Sequence, residues 1–290
     1  MEKINTKSNI VFFGSPEFSV CILKGLKDKN ILPSLIITMP DRATGRKLKI
    51  TPPPVKIWAD KNQIPTIQPE KLDNDFIDKL KKEKRDLFLI AAYGKIIPQE
   101  ILDIPKLGTL NVHPSLLPKY RGATPIHSVI LNGEKETGVS IMLIDAKMDH
   151  GPIIKQEKIS LYKNSISELT TKIELEKELA ILGGKMLADI IPKWINNPNS
   201  TDGQGEIKAE EQNHEKATYC TKLKSDDGLI DLNDNPELNF KKIRAFDKWP
   251  RAHFFKNDKR IIIKKARLEN GKLIIDRILP EGGKEIAYIK

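Results

Sequence analysis

The chain has 290 residues, 39% of them hydrophobic and 30% charged, which is ordinary for a globular protein and enough for one large domain or two. Its longest apolar runs, such as Ile10 to Phe13 and Leu87 to Ala92, are far too short to span a bilayer. The N-terminus lacks the apolar core of a signal peptide, and two distant cysteines, Cys21 and Cys220, read as buried thiols rather than a disulfide framework. The formal charge of +10 is uneven: residues 239–290 hold 15 Lys and Arg against 6 Asp and Glu, leaving 34 against 33 elsewhere. A near-neutral body with a basic last fifth points to a polyanion-binding part.

In chain order, Ile10 to Phe13 predicts a short buried strand. Ser15 before Pro16 then reads as a helix cap, and Phe18 to Leu26 shows helical spacing. Residues 40–56 read as a long loop with Arg42, Arg46, Lys47, Lys49 and Lys56, stiffened by Pro52 to Pro54. Strands follow at Leu35 to Thr38, Leu87 to Ala91, Thr109 to Val112, Val139 to Leu143 and Ile153-Ile154. Strands separated by helices predict a mostly parallel, Rossmann-like α/β sheet. Its ligands bind beyond the carboxyl ends of the strands. Residues 165–195 carry apolar residues at helical spacing, with Pro192 near the end. Asn196 to Gly205 is polar and turn-rich, so the linker is placed at 196–207, after a domain spanning 1–195. Over 208–290, strands at Ile230, Ile261 to Lys264 and Lys272 to Ile275, an Asn270-Gly271 turn and a short helix at Lys241 to Phe246 fit a small OB-like β-barrel.

The densest chemistry lies in Asn111 to Ile126. Asn111 and His113 sit two apart on a predicted strand and so share a face. An amide and an imidazole with no Cys or Ser nucleophile beside them suit polarising a carbonyl and moving protons. Asp149, in Met148-Asp149-His150-Gly151, can orient an imidazole or take a proton through water; His150 reads as solvated. The histidines show no metal-ligand spacing, so no metal is expected. Gly14-Ser15-Pro16-Glu17 is not a dinucleotide fingerprint.

Those motifs also carry a resemblance. Together with Val11 to Phe18, Met39 to Arg46, Ala92 to Pro98 and Ile243 to Phe246, the run at Asn111 resembles the 10-formyltetrahydrofolate-dependent formyltransferase family, and within it the methionyl-tRNA formyltransferases. The resemblance spans nearly the whole chain and itself implies a Rossmann-like domain followed by an OB-like one. It implies transfer of a formyl group from 10-formyltetrahydrofolate to the amino group of methionyl initiator tRNA. It assigns catalysis to Asn111, His113 and Asp149. Folate contacts fall to Ser115, Leu116, Leu117 and Pro118, with Tyr93, Gly94 and Ile96 on the pterin side. Its tRNA contacts would be Arg42, Arg46, Lys47 and Lys49, and the basic C-terminal part adds Lys259, Arg260, Lys264 and Lys265. A cytoplasmic monomer with no membrane partner is expected. A sugar-nucleotide amine N-formyltransferase is the rival; the uneven basic charge argues against it. A non-catalytic RNA-binding protein is a second, opposed by the three catalytic residues standing together.

Overall fold

The computed structural model describes residues 9–45, 48–162, 170–196 and 207–289. Most of the expected linker, 197–206, therefore lies outside the described residues, as do Arg46 and Lys47 and the first part of the expected helical stretch at 165–195. The elements run β1 (Ile10–Gly14), α1 (Glu17–Asp28), β2 (Leu35–Ile37), β3 (Arg42–Thr44), β4 (Lys49–Thr51), α2 (Pro54–Lys61), β5 (Thr66–Ile67), α3 (Asn74–Lys81) and β6 (Leu87–Ala91). They continue with α4 (Gln99–Leu102), β7 (Thr109–His113), β8 (Arg121–Gly122), α5 (Pro125–Leu131), β9 (Glu136–Leu143), β10 (Ile153–Ser160) and α6 (Lys172–Asn196). The last are β11 (Tyr219–Cys220), α7 (Pro236–Ala245), β12 (His253–Lys256), β13 (Lys259–Glu269), β14 (Lys272–Pro280) and β15 (Ile286–Ala287). Among the described residues no helix is long and apolar enough to cross a membrane.

Two compact units emerge. Among the described residues, those within 1–118, 139–157 and 177–216 form the first, and those within 119–138, 158–176 and 217–290 form the second. Residues 207–216 thus pack with the first unit, where Ile153 and Glu210 exchange backbone hydrogen bonds of 2.8 Å.

A seven-stranded sheet in the order β10-β9-β7-β6-β1-β2-β5 forms the frame of the first unit. Strands β7, β6, β1, β2 and β5 are parallel, and β9 runs antiparallel to β7. The central strands are apolar throughout because helices cover both faces. On one face Val11, Phe13, Phe88 and Ile90 pack against Phe76, Ile77 and Leu80 of α3 and Ile101 and Leu102 of α4. The Asp73 side chain caps α3 by accepting from the Phe76 N–H at 3.2 Å. On the other face α1 and α6 cross so closely that a Cβ on Gly184 would lie 3.1 Å from the Ile22 Cα. One residue earlier, a Cβ on Gly183 would lie 2.7 Å from Val112 of β7. Adjacent glycines therefore let α6 lie tight on both α1 and β7.

Two expectations need correction. Ser15 does not cap α1; Pro16 holds that position with no side-chain cap, and the Ser15 hydroxyl instead donates to the Tyr93 carbonyl at 3.1 Å. The two cysteines are half-buried rather than buried.

In the second unit β8 pairs in parallel with β11, and Arg244 of α7 donates through Nε and Nη2 to the Thr170 carbonyl at 3.1 and 2.8 Å. Its main sheet is antiparallel, in the order β12-β13-β14-β15. The β13–β14 turn is built by Asn270 and Gly271, at φ of 48° and 71°, the two positive values a tight hairpin demands. Ile230 is not in a strand: its N–H bonds the His253 carbonyl at 2.8 Å beside a lone bridge at Leu229. One bridge does not extend because the polar run Asp231-Leu-Asn-Asp-Asn turns straight into α7.

Candidate active site

Parallel pairing brings the carboxyl ends of β1, β6 and β7 to one edge of the sheet, with Gly14 beside Ala91 and Ile90 beside Asn111. Asn111 and His113, two apart on β7, share a face there. Asn111 is half-buried and His113 buried. The His113 Nδ1 lies 3.5 Å from the Asp149 Oδ1, inside ion-pair range and longer than a strong hydrogen bond. Asp149 adopts a left-handed backbone, φ 46°, which non-glycine residues rarely take. Two residues on, a Cβ at Gly151 would collide with the Leu143 carbonyl, so this turn admits only glycine there. His113 and Asp149 thus come together from strand and loop, with Asn111 on the same strand as His113.

The segment after β7 is fixed from below. The Ser140 hydroxyl on β9 donates to the Ser115 carbonyl at 2.6 Å and accepts from the Leu117 N–H at 3.1 Å. Gln156 on β10 donates to the Leu117 carbonyl and to the Ser140 hydroxyl, both at 2.8 Å. Ser115 and Leu117 are buried, while Leu116 and Pro118 are half-exposed. Neither stands out in the sequence: the only signal for Ser140 is polarity at a buried position of apolar β9, and Gln156, exposed on the polar strand β10, gives none.

Beyond β6, Tyr93 is a core residue rather than an open wall. Its ring meets Phe13 edge-on at 5.5 Å, its hydroxyl is buried without a partner, and burial pushes its pKa up to about 12. The open members of this segment are Gly94, at φ 96°, and Ile96, which is 88% exposed. His150 is not simply solvated: its Nδ1 lies 2.6 Å from the Asp145 Oδ2, and its ring stacks on His214 at 3.9 Å and 7°.

The basic stretch at 40–56 is not one loop. Its centre is the β3–β4 hairpin, registered Arg42 with Thr51 and Thr44 with Lys49, and Pro54 opens α2. Alternation over three-residue strands is too brief to read in sequence. Arg42 and Lys49 are exposed, as are Leu48 and Ile50. In the second unit Lys259, Lys264 and Lys265 are exposed, the last two at a register shift in β13. Arg260 differs: it is half-buried and donates to the Pro250 carbonyl at 3.0 Å. Among the described residues no group of three or more His, Cys, Asp or Glu could hold a metal ion.

Residues 8–188 match the family model described as formyl transferase, and residues 222–286 match the formyl transferase C-terminal domain. A methionyl-tRNA formyltransferase of Thermodesulfovibrio yellowstonii is 40% identical over 266 residues, covering 91% of this chain and 82% of its own. The chain belongs to the methionyl-tRNA formyltransferases of the formyl transferase family. Among solved structures, a methionyl-tRNA formyltransferase from Clostridium thermocellum superposes with a TM-score of 0.59 at 19% identity, over 97% of this chain and 100% of that one. An N-formyltransferase from Helicobacter canadensis, solved with folinic acid and dTDP-3-aminofucose, gives 0.66 at 20% identity over 97% and 98%. At such identities the likeness is one of fold: a mostly parallel sheet with helices, followed by an antiparallel sheet. Family membership rests on the closer relative and the family models.

Proposed function

We propose that this chain transfers the formyl group of 10-formyltetrahydrofolate to the α-amino group of methionyl initiator tRNA, in the cytoplasm, for translation initiation. The observation that carries the chemistry is the approach of Asp149 to His113 beside Asn111 at the end of β7. The choice of acceptor is supported by the 40% identity to a relative of that name and by the exposed cations of the β3–β4 hairpin.

A folate donor fits the residues present. Ile96 stands 88% exposed beside the open backbone of Gly94, an apolar surface that a flat heterocycle would cover. Ser115, Leu116, Leu117, Pro118 and the Tyr93–Ile96 segment would hold it. When bound, the donor supplies the activated formyl carbon, and its departing nitrogen receives the proton that the amine loses. Asn111 donates its amide N–H to the formyl oxygen as negative charge builds there. His113 donates to the same oxygen or relays the proton. Asp149 orients the imidazole and takes a proton through water. Arg42, Arg46, Lys47 and Lys49 meet the acceptor arm, and Lys259, Arg260, Lys264 and Lys265 meet phosphates farther along the tRNA. In roles, 1–195 is catalytic, 196–207 the linker and 208–290 the tRNA-binding part, whose first residues, to 216, pack with the first unit.

Offering charged methionyl initiator tRNA and a nucleotide amino sugar side by side with 10-formyltetrahydrofolate tests the reading. Formylation of the tRNA alone is expected; preferred formylation of the sugar amine would overturn it.

A further inference from the structure

The loop that carries Asp149 is held by a residue from far along the chain. Gln212 is 5% exposed. Its Nε2 donates to the Asp149 carbonyl at 3.0 Å and to the Gly151 carbonyl at 2.7 Å. One side-chain amide thus ties the two carbonyls that flank His150, 61 to 63 residues distant in sequence. The same short segment is anchored twice more. Glu210 exchanges both backbone hydrogen bonds with Ile153, and His214 stacks on His150, whose other side is tied to Asp145. All of these groups belong to the first unit.

What needs holding is clear from the backbone. Asp149 sits at φ 46°, a conformation that costs energy and persists only where its surroundings over-determine it. A relaxed loop would carry the Asp149 carboxylate away from the His113 imidazole. Both amide hydrogens of Gln212 are used, and no other common side chain of that length offers two donors from one neutral planar group.

We propose that Gln212 is a positioning residue for catalysis: it acts through Asp149 by locking the Asp149–Gly151 turn, with the His150–His214 stack as its lateral brace. This rests on the reading that Asp149 serves the chemical step, and the test separates the two.

The experiment is a double-mutant cycle with full-length enzyme, measuring formyl transfer to methionyl-tRNA and the KM of each substrate for wild type, Gln212→Ala, Asp149→Asn and the double variant. A misplacement of about 1 Å at a catalytic group costs about a hundredfold, so Gln212→Ala is expected to lower kcat by roughly ten- to a hundredfold with both KM values within about twofold. In the Asp149→Asn background the same change should cost less than about threefold, since residues acting as one unit are non-additive. Gln212→Glu keeps the size but presents a carboxylate to two carbonyls, and should be at least as slow as Gln212→Ala. Full, additive loss in the Asp149→Asn background would overturn the positioning role while leaving Asp149 itself intact. An Asp149→Asn enzyme as fast as wild type would overturn the reading beneath it. If Gln212→Ala melts below the assay temperature, His214→Ala takes its place in the cycle, with the same coupling expected at smaller size and additivity again contradicting the role.

Discussion

Strand β6, Leu87–Ala91, is buried at every position, whereas β13, Lys259–Glu269, sets buried Ile261 and Ile263 against exposed lysines and an exposed arginine. The first belongs to a parallel sheet covered on both faces, the second to an antiparallel sheet with a wet face. A doubly covered sheet has no freedom to shift, so what it offers is the fixed position of its strand ends. A half-wet sheet can carry charges that change with little effect on its core. The proposed function puts chemistry at the edge of one and polyanion contact on the face of the other, and substitutions should separate them.

The largest effects are expected at the strand end. Asn111→Ala and His113→Ala should each lose about 10²–10³ in kcat, the usual cost of one oxyanion donor, with an unchanged melting profile. Near-normal turnover of Asn111→Ala would remove it from the oxyanion. Asp149→Asn should slow transfer by about 10² yet leave affinity for a folate analogue, measured by titration calorimetry, largely intact; a lost affinity with normal chemistry would reverse its role.

A pH effect should appear in the second unit. His127, whose ring lies 6.3 Å from Phe246, is lowered from 6.5 to about 4 by burial and then by the Lys172 charge. The fold therefore favours the neutral ring. Between those two values the unfolded chain binds more protons, so stability falls as pH drops through the window, by at most about 3 kcal/mol. Urea midpoints between pH 7 and 4 should fall less steeply for His127→Leu than for wild type; equal slopes would show that His127 is not the group responsible.

Smaller effects belong to the exposed cations. Lys264→Ala should shift stability by under about 0.5 kcal/mol and reduce the log–log salt slope of tRNA binding by roughly 1. Arg42→Ala, on the hairpin, should impair kcat/KM for initiator tRNA more than it impairs nonspecific RNA binding. If it changes only salt-dependent affinity, the hairpin is one more cationic surface.

How much of this the sequence discloses tracks the same contrast. The central strands are apolar runs bounded by turn residues, so β1, β6 and β7 are readable, and the i, i+2 spacing announces that Asn111 and His113 face one way. Asn270-Gly271 announces its hairpin. What stays hidden depends on distant pairing. The β3–β4 strands are three residues each and exposed. Ser140, Gln156 and Gln212 look like ordinary polar residues until the fold sets them under the carbonyls they hold. Ser15 looks like a cap because its neighbour is proline, but its hydroxyl oxygen accepts from the Met39 N–H and its hydrogen goes to the Tyr93 carbonyl, 78 residues away. Tyr93 reads as a pocket residue, and the sequence gives no sign that its ring is buried edge-on against Phe13.

The most direct test is the rate of methionyl-tRNA formylation as a function of salt for wild type, Asn111→Ala and the Lys264→Ala, Lys265→Ala double variant. The expected result is that Asn111→Ala lowers kcat at every salt concentration with an unaltered salt slope, while the lysine variant keeps kcat at saturating tRNA and flattens the slope by roughly 2. A lysine variant that loses kcat, or an Asn111→Ala enzyme whose defect disappears at low salt, would contradict the separation of chemistry at the strand ends from binding on the basic sheet.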